Sequence, residues 1–189
     1  MRDDLWLAER MGRPAITVEA GDPPDLASSG FLQTRVPTTD VARVSELERA
    51  GWSVIDVTIT LTREPGVEEA DERWHIGAPS DADRDALLAI AHDDYDVSRF
   101  HLDPDVPDAV ARRIKRDWLA ACLDGERGDH VLVASGDDGP AGFLAVMVAP
   151  ARQIIDLVAV RATARGTGAG RALVARMLAE SDTTIEVGT

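Results

Sequence analysis

The chain has 189 residues, 44% of them hydrophobic, which suits one globular domain or two small ones with a real core. Its formal net charge of −14 argues against a nucleic-acid partner, because Lys and Arg supply most non-specific affinity for phosphate backbones. The longest apolar stretch, 141–151, is too short to span a bilayer and the start lacks a signal-peptide core, so we expect a cytoplasmic protein with no membrane partner.

Residues 1–66 are predicted to form a small N-terminal β-α-β unit. An extended segment, 31–36, precedes a helix that Thr38 or Thr39 can cap. This helix carries the apolar stripe Val41, Val44 and Leu47, and Gly51 ends it. In the following strand, 55–62, apolar and polar residues alternate, so one of its faces is expected to be buried. The acidic residues 67–73 are predicted to be a linker to a second domain.

Residues 74–189 are predicted to form a larger α/β domain with a mixed sheet and the order β-α-α-β-β-β-α-β. Its predicted elements are strand 74–76, helices beginning near Ser80 and Pro107, hairpin strands 131–135 and 141–148, strand 154–160, helix 168–181 and strand 183–187. The last two strands are expected to be parallel, because a helix connects them as a right-handed crossover.

A glycine-rich loop, 165–171, follows one of these strands and leads directly into a helix. Glycines at every second position from Gly166 to Gly170 allow close approach of an anion, and Arg165 and Arg171 add positive charge. A dinucleotide fingerprint would need glycine where Arg171 stands, and a Walker A loop would need a lysine that this loop lacks. The pattern therefore predicts a phosphate cradle of another kind, the alternative being a turn that only links strand and helix.

The spacing R-x-x-G-x-G, formed by Arg165, Gly168 and Gly170, resembles motif A of the GNAT acyl-CoA N-acyltransferases. This resemblance implies a GNAT fold with a smaller N-terminal β-α-β unit, and acetyl-CoA as co-substrate. In that family the loop holds the pyrophosphate and the preceding strand binds the pantetheine arm through its backbone. The residues implied for acetyl-CoA are Leu157, Val158, Val160, Arg165, Gly166, Thr167, Gly168, Ala169, Gly170 and Arg171.

Less specific sequence similarities indicate one branch of this family. The segments 95–104, 125–129 and 185–189 look like the dTDP-fucosamine (4-amino-4,6-dideoxy sugar nucleotide) acetyltransferase branch, which implies an amino sugar nucleotide as acceptor. In the family, another helix follows the last strand and carries a tyrosine that serves as the general acid. The domain 74–189 is therefore expected to be C-terminally incomplete. Its last strand would then be an unpaired edge, which predicts a homodimer or a marginally stable chain.

The resemblance implies direct attack of a primary amine on the thioester in a ternary complex. Asp156 and Glu186 are the candidate catalytic bases, the alternative for each being a carboxylate that caps the polar face of the sheet. Arg99 and His101 are candidates for contacting the acceptor, the alternative being a solvated loop. The four histidines lack ligand spacing, so no metal is expected. The single cysteine, Cys122, is expected in the core.

Two functions follow from these patterns. The first is an acetyl-CoA-dependent N-acetyltransferase acting on a small-molecule amine, with an amino sugar nucleotide as the narrower candidate. The second is a non-catalytic acyl-CoA-binding or pseudo-enzyme module that has the cradle but lacks the general acid.

Overall fold

The computed structural model describes residues 1–19, 21–23, 30–67 and 73–189, in which two units are distinguished. The first unit comprises residues 1–57 and 99–114, and the second comprises 58–98 and 115–189. Residues 58–66, predicted with the N-terminal domain, therefore group with the second unit. Most of the predicted linker, 67–73, lies outside the described residues.

The first unit contains a three-stranded sheet in the order β1-β2-β3. Its strands are β1 (Arg2–Asp3), β2 (Ala15–Thr17) and β3 (Phe31–Gln33), with β2 antiparallel to β1 and parallel to β3. Helix α1 (Leu5–Met11) lies between the first two strands. The sequence patterns predict no element within residues 1–30, because strands of two or three residues are too short to show alternation, whereas β3 lies in the predicted extended segment 31–36.

Three helical segments complete the first unit. Helix α2 (Val41–Arg49) begins at Asp40, whose carboxylate accepts the Arg43 N–H at 3.1 Å. The short helix α4 (Arg99–Leu102) buries Phe100, whose ring lies 6.4 Å from that of Phe31. The first turns of helix α5 (Asp108–Leu123) also belong to this unit.

The second unit is built on a six-stranded sheet in the order β4-β9-β8-β7-β6-β5. The strands are β4 (Thr60–Arg63), β5 (His75–Gly77), β6 (His130–Gly136), β7 (Gly139–Ala149), β8 (Arg152–Val160) and β9 (Thr184–Gly188). All neighbours are antiparallel except β8 and β9, which are parallel and are connected through helix α6 (Ala169–Glu180). The predicted hairpin, the predicted parallel pair and the mixed sheet are confirmed.

Helices cover both faces of this sheet. Helix α3 (Arg84–Asp93) and the last turns of α5 pack on one face, where Leu87, Leu119 and Phe143 are among the buried residues. Helix α6 packs on the other face, where Leu144 and Leu173 are fully buried. No helix in the described ranges is both long enough and apolar enough to cross a membrane.

The strand predicted over 55–62 differs most from expectation. Only its end forms β4, which pairs antiparallel with β9 in the second unit. Its apolar side chains are exposed, with Ile59 at 61% and Leu61 at 54%, so the expectation that one face is buried was wrong. Alternating residues indicate a strand, but they do not specify whether a neighbouring layer covers it.

The pairing of β4 also corrects the expectation of an unpaired edge at β9. Leu61 lies opposite Val187 and Arg63 lies opposite Ile185, so β9 has partner strands on both sides. Ile185 is only 4% exposed, in the core beneath α6. The homodimer stays a prediction, without the support that an open β9 edge would have supplied.

Candidate functional site

Strands β8 and β9 pair over only part of their length. Their register runs from Arg152 opposite Thr184 to Ile155 opposite Val187, whereas β8 continues to Val160. Beyond Ile155, the edge of β8 that faces away from β7 has no strand partner in the described ranges. Backbone N–H and C=O groups along 157–159 are therefore available to a ligand that lies between the two strands.

Asp156 occupies a bulge at the point where β8 leaves β9. Ala145 of β7 lies opposite Leu157 and the next residue, Val146, lies opposite Ile155, so Asp156 is the extra residue. Ile155 and Leu157 would share a face in a regular strand. Here Ile155 packs with α6 and Leu157 packs with the α3 side, which shows that the bulge reverses the side-chain alternation.

Three hydrogen bonds tether the Asp156 carboxylate. Its Oδ2 accepts from Trp118 Nε1 at 2.7 Å and from Arg127 Nε at 2.8 Å, and its Oδ1 accepts from Arg127 Nη2 at 3.1 Å. The Arg127 guanidinium also lies 4.0 Å above the centre of the Trp118 ring. The Asp156 side chain is 12% exposed.

Glu186, the other candidate base, is more open. Its Oε2 lies 3.0 Å from Arg152 Nε, and the two side chains are 26% and 50% exposed, respectively. Glu186 immediately precedes Val187, the last residue of β9 that pairs with β8. It also lies on the face opposite the buried Ile185, which is the face that carries α3. Glu186 is therefore a solvent-accessible carboxylate at the point where the strands separate.

The glycine loop has the backbone geometry of an anion cradle. After a 3₁₀ turn at Ala162–Ala164, Gly166 has φ +77° and Gly168 has φ +97°, and α6 begins at the next residue. Within the described chain, the N–H groups of Gly166 and Gly168 donate no hydrogen bond, and Ala172 is the first residue to bond back, to the Gly168 carbonyl at 2.9 Å. Donors and the positive end of the helix dipole therefore coincide.

Arg165 joins this loop to the segment that follows α3. Its guanidinium donates to the Asp94 carbonyl oxygen, and its Nη1 lies 3.4 Å from the Asp96 carboxylate. The Asp94 carboxylate in turn accepts the Ala162 N–H at 2.9 Å. The Arg165 side chain is 47% exposed, so it remains accessible to a phosphate at the edge of the cradle.

Arg99 and His101 belong to the first unit. Both lie on α4 in the first unit, where the Arg99 guanidinium lies 4.7 Å from the centre of the Phe100 ring. Their contact with an acceptor stays a prediction. Among the described residues, no three His, Cys, Asp or Glu side chains are grouped as metal ligands would be.

Cys122 lies in the core beside this site and is 7% exposed, which confirms its expected burial. Burial raises the pKa of its thiol to about 11, the charge of Asp156 acts in the same direction, and Arg127 opposes them. Burial also raises the pKa of Tyr95, and Asp156 adds to this effect. Neither group is poised to ionise at neutral pH.

We expect the free energy of unfolding to fall as the pH rises from 9 toward 11. The unfolded thiol ionises near the ordinary cysteine pKa of 9.0, whereas the folded thiol keeps its proton until about pH 11, so high pH favours the unfolded chain. The variant Cys122→Ala should lose less stability over this interval. Urea unfolding of both proteins at about pH 8 and about pH 10.5 measures the difference, and an identical loss in both would contradict it.

The partners of the candidate residues were not foreseen from the sequence. Trp118 and Arg127 are 38 and 29 residues from Asp156, and Asp94 is 71 residues from Arg165. Because these contacts join separate elements, no local spacing reveals them. One sequence feature could have suggested these contacts. Asp156 is a lone carboxylate among apolar residues of a strand, and such a buried charge needs polar partners such as Trp118 and Arg127.

The chain was compared with protein families, with characterised proteins and with solved structures. No family model matches the chain. The chain is 24% identical over 165 residues to the spore coat polysaccharide biosynthesis protein SpsD of Bacillus subtilis strain 168, a match that covers 84% of this chain and 57% of SpsD. It therefore spans little more than half of that relative.

Two solved structures are similar over the same share of the chain. A GCN5-related N-acetyltransferase from Sphaerobacter thermophilus has a TM-score of 0.55 at 14% identity, covering 84% of this chain and 50% of that one. A functionally unknown conserved protein from Staphylococcus epidermidis has a TM-score of 0.52 at 16% identity, covering 84% and 61%. The chain therefore has the mixed α/β fold of the GCN5-related N-acetyltransferases, as its sequence predicted.

Proposed function

We propose that this protein, with its GCN5-related N-acetyltransferase fold, is an acetyl-CoA-dependent N-acetyltransferase. The observation that carries the proposal is the continuity of two features: the open edge of β8 leads into a loop in which the N–H groups of Gly166 and Gly168 donate no hydrogen bond among the described residues. An open strand edge binds an extended amide chain such as pantetheine, and helix N-terminal N–H groups bind a pyrophosphate. The ten residues implied from sequence lie along this path, from Leu157 to Arg171.

The reaction requires a polarised thioester carbonyl and an acceptor for the amine proton. In this proposal, backbone N–H groups of the open β8 edge near Val158 donate to the developing oxyanion, and the support is that β9 does not pair with β8 beyond Ile155. The amine nitrogen forms the new C–N bond and loses a proton, and the C–S bond breaks as the thiolate gains one. The chain's contribution is therefore mostly positioning and donation of backbone hydrogen bonds.

The two candidate carboxylates take different roles in this proposal. Glu186 accepts the amine proton, through water, because it is accessible and has a single cationic partner at 3.0 Å. Asp156 instead fixes the bulge that separates β8 from β9, because Trp118 and Arg127 already occupy its oxygens. Asp156 is thus a positioning residue.

The acceptor is proposed to be a small-molecule primary amine, with an amino sugar nucleotide as the narrower candidate. The support is the 24% identity to SpsD, a protein named for polysaccharide biosynthesis, together with the sequence similarities at 95–104 and 125–129. Arg99 and His101 are the residues proposed to contact this acceptor. The proposed location is the cytoplasm, where acetyl-CoA is available as co-substrate.

A second function is favoured by one specific observation. Asp156 is held by three hydrogen bonds, and Tyr95 packs against the core with a pKa that burial raises, so neither of them is a ready proton donor for the thiolate. A module that binds acyl-CoA without turning it over would have the same cradle. The two proposals predict the same binding but different chemistry.

We expect purified protein to bind acetyl-CoA in isothermal titration calorimetry and to release thiol when an amine acceptor is added. A panel of amino sugar nucleotides, simple amino sugars and polyamines then ranks the acceptors by thiol release. Binding without thiol release from any member of the panel would favour the non-catalytic module. Absence of acetyl-CoA binding would contradict both functions.

A further inference from the structure

One carbonyl in the glycine loop accepts two side-chain hydrogen bonds from the start of β5. The Thr167 oxygen lies 3.2 Å from Trp74 Nε1 and 3.0 Å from Arg73 Nη2. The Thr167 hydroxyl and N–H both bond back to the Ala164 carbonyl, at 2.6 and 3.4 Å. The orientation of the peptide that joins Thr167 to Gly168 is therefore set by contacts outside α6.

Packing holds the Trp74 ring in place. The indole packs against the core beneath α6, and it lies so close to Gly136 of β6 that a Cβ at that position would meet its Cζ3 at 2.9 Å. Any other residue at 136 would displace the ring. The close packing of the ring against the sheet and the core therefore directs the indole N–H toward the loop.

The peptide geometry transmits this contact to the cradle. In a planar trans peptide, the C=O and the N–H point in opposite directions. Because the Thr167 C=O is drawn toward Trp74, the Gly168 N–H must point away from it. That N–H donates to no acceptor among the described residues, and it lies immediately before the first turn of α6.

We infer that Trp74 is a positioning residue for anion binding: its indole N–H orients the Thr167–Gly168 peptide so that the Gly168 N–H faces the bound phosphate. The inference rests on the proposed binding of acetyl-CoA at this loop. It gives Trp74 a role beyond the core packing that its sequence position suggests. The same carbonyl contact leaves Arg73, an additional cation, beside the loop.

The test compares two thioesters that differ in the pyrophosphate. For Trp74→Phe we expect the affinity for acetyl-CoA to fall about threefold to tenfold, the range for one lost hydrogen bond, while the affinity for S-acetylpantetheine changes less than about twofold. Trp118→Phe is the matched control, because it removes the same indole N–H from a partner, Asp156, outside the cradle. The affinity for acetyl-CoA divided by the affinity for S-acetylpantetheine should be the same in Trp118→Phe as in the unaltered protein.

A second substitution guards against loss of the fold. Benzothienylalanine placed at position 74 alone keeps the bicyclic ring but replaces the N–H by sulfur, and it should lower the same ratio. An unchanged ratio in a folded variant, with the unaltered protein preferring acetyl-CoA, would overturn the role of Trp74 and leave the proposed function standing. If the unaltered protein shows no preference for acetyl-CoA over S-acetylpantetheine, the cradle and this inference both fail.

Discussion

Replacing Gly168 with valine is expected to weaken acetyl-CoA binding by more than about tenfold. Gly168 has φ +97°, a conformation that a β-branched residue adopts only with strain, and its N–H is one of the donors of the cradle. A new side chain also keeps the pyrophosphate from the backbone. Each charge-assisted hydrogen bond to phosphate contributes about 1.5–3 kcal/mol, so losing one or more is a large effect.

The control is the same substitution at Gly139, the first residue of β7, which directly follows the turn from β6. Gly139 has φ +89° and open space around its Cα, so Gly139→Val introduces similar backbone strain without touching the cradle. Both variants should lose comparable thermal stability, but only Gly168→Val should lose affinity in calorimetry. Equal affinity in the two folded variants would remove the glycine loop from the binding site.

Replacing Asp156 with alanine is expected to destabilise the protein by about 2 kcal/mol. The change leaves the Trp118 indole N–H and the Arg127 guanidinium without their acceptor in a largely buried position, and an unsatisfied buried polar group costs about 1–3 kcal/mol. The 39% exposure of Arg127 keeps the loss below that of a fully buried pair. Urea unfolding measures it.

Glu186→Gln separates the roles of the two carboxylates. Its exposed pair with Arg152 contributes at most about 1 kcal/mol, so stability should change little, while the rate of amine-dependent thiol release should fall if Glu186 accepts the proton. Asp156→Ala should lower the free energy of unfolding. Any loss of activity in this variant should be an indirect effect of the altered bulge. The opposite pattern, with a stable Asp156 variant that has lost only its rate, would make Asp156 the base.

Local sequence patterns were sufficient for most of the second unit. Apart from the short helix α4, which was not predicted, the elements from β5 to β9 appear in the predicted order, because alternation, capping residues and turn glycines act over only a few residues. The capping box at Ser80 is one example, since the Asp83 carboxylate accepts both the Ser80 N–H and its hydroxyl. The glycine loop likewise lies between β8 and α6 as its residues predict, because the left-handed conformations of Gly166 and Gly168 are local properties of glycine.

What the side chains do at the site depended on contacts between distant segments. Sequence could propose Asp156 as a base, but only the fold brings Trp118 and Arg127 to its oxygens. In the same way, Trp74 reaches a carbonyl 93 residues away.

The sequence by itself therefore determined most of the element order of the second unit, the mixed sheet and the position of the glycine loop between β8 and α6. The tertiary structure decided that β4 pairs with β9, where the bulge of β8 lies, and which carboxylate is tethered. The physical reason is the range of the interactions. Helix periodicity, caps and glycine conformations are properties of neighbouring residues, whereas strand neighbours and ion pairs depend on which distant segments pack together and exclude water.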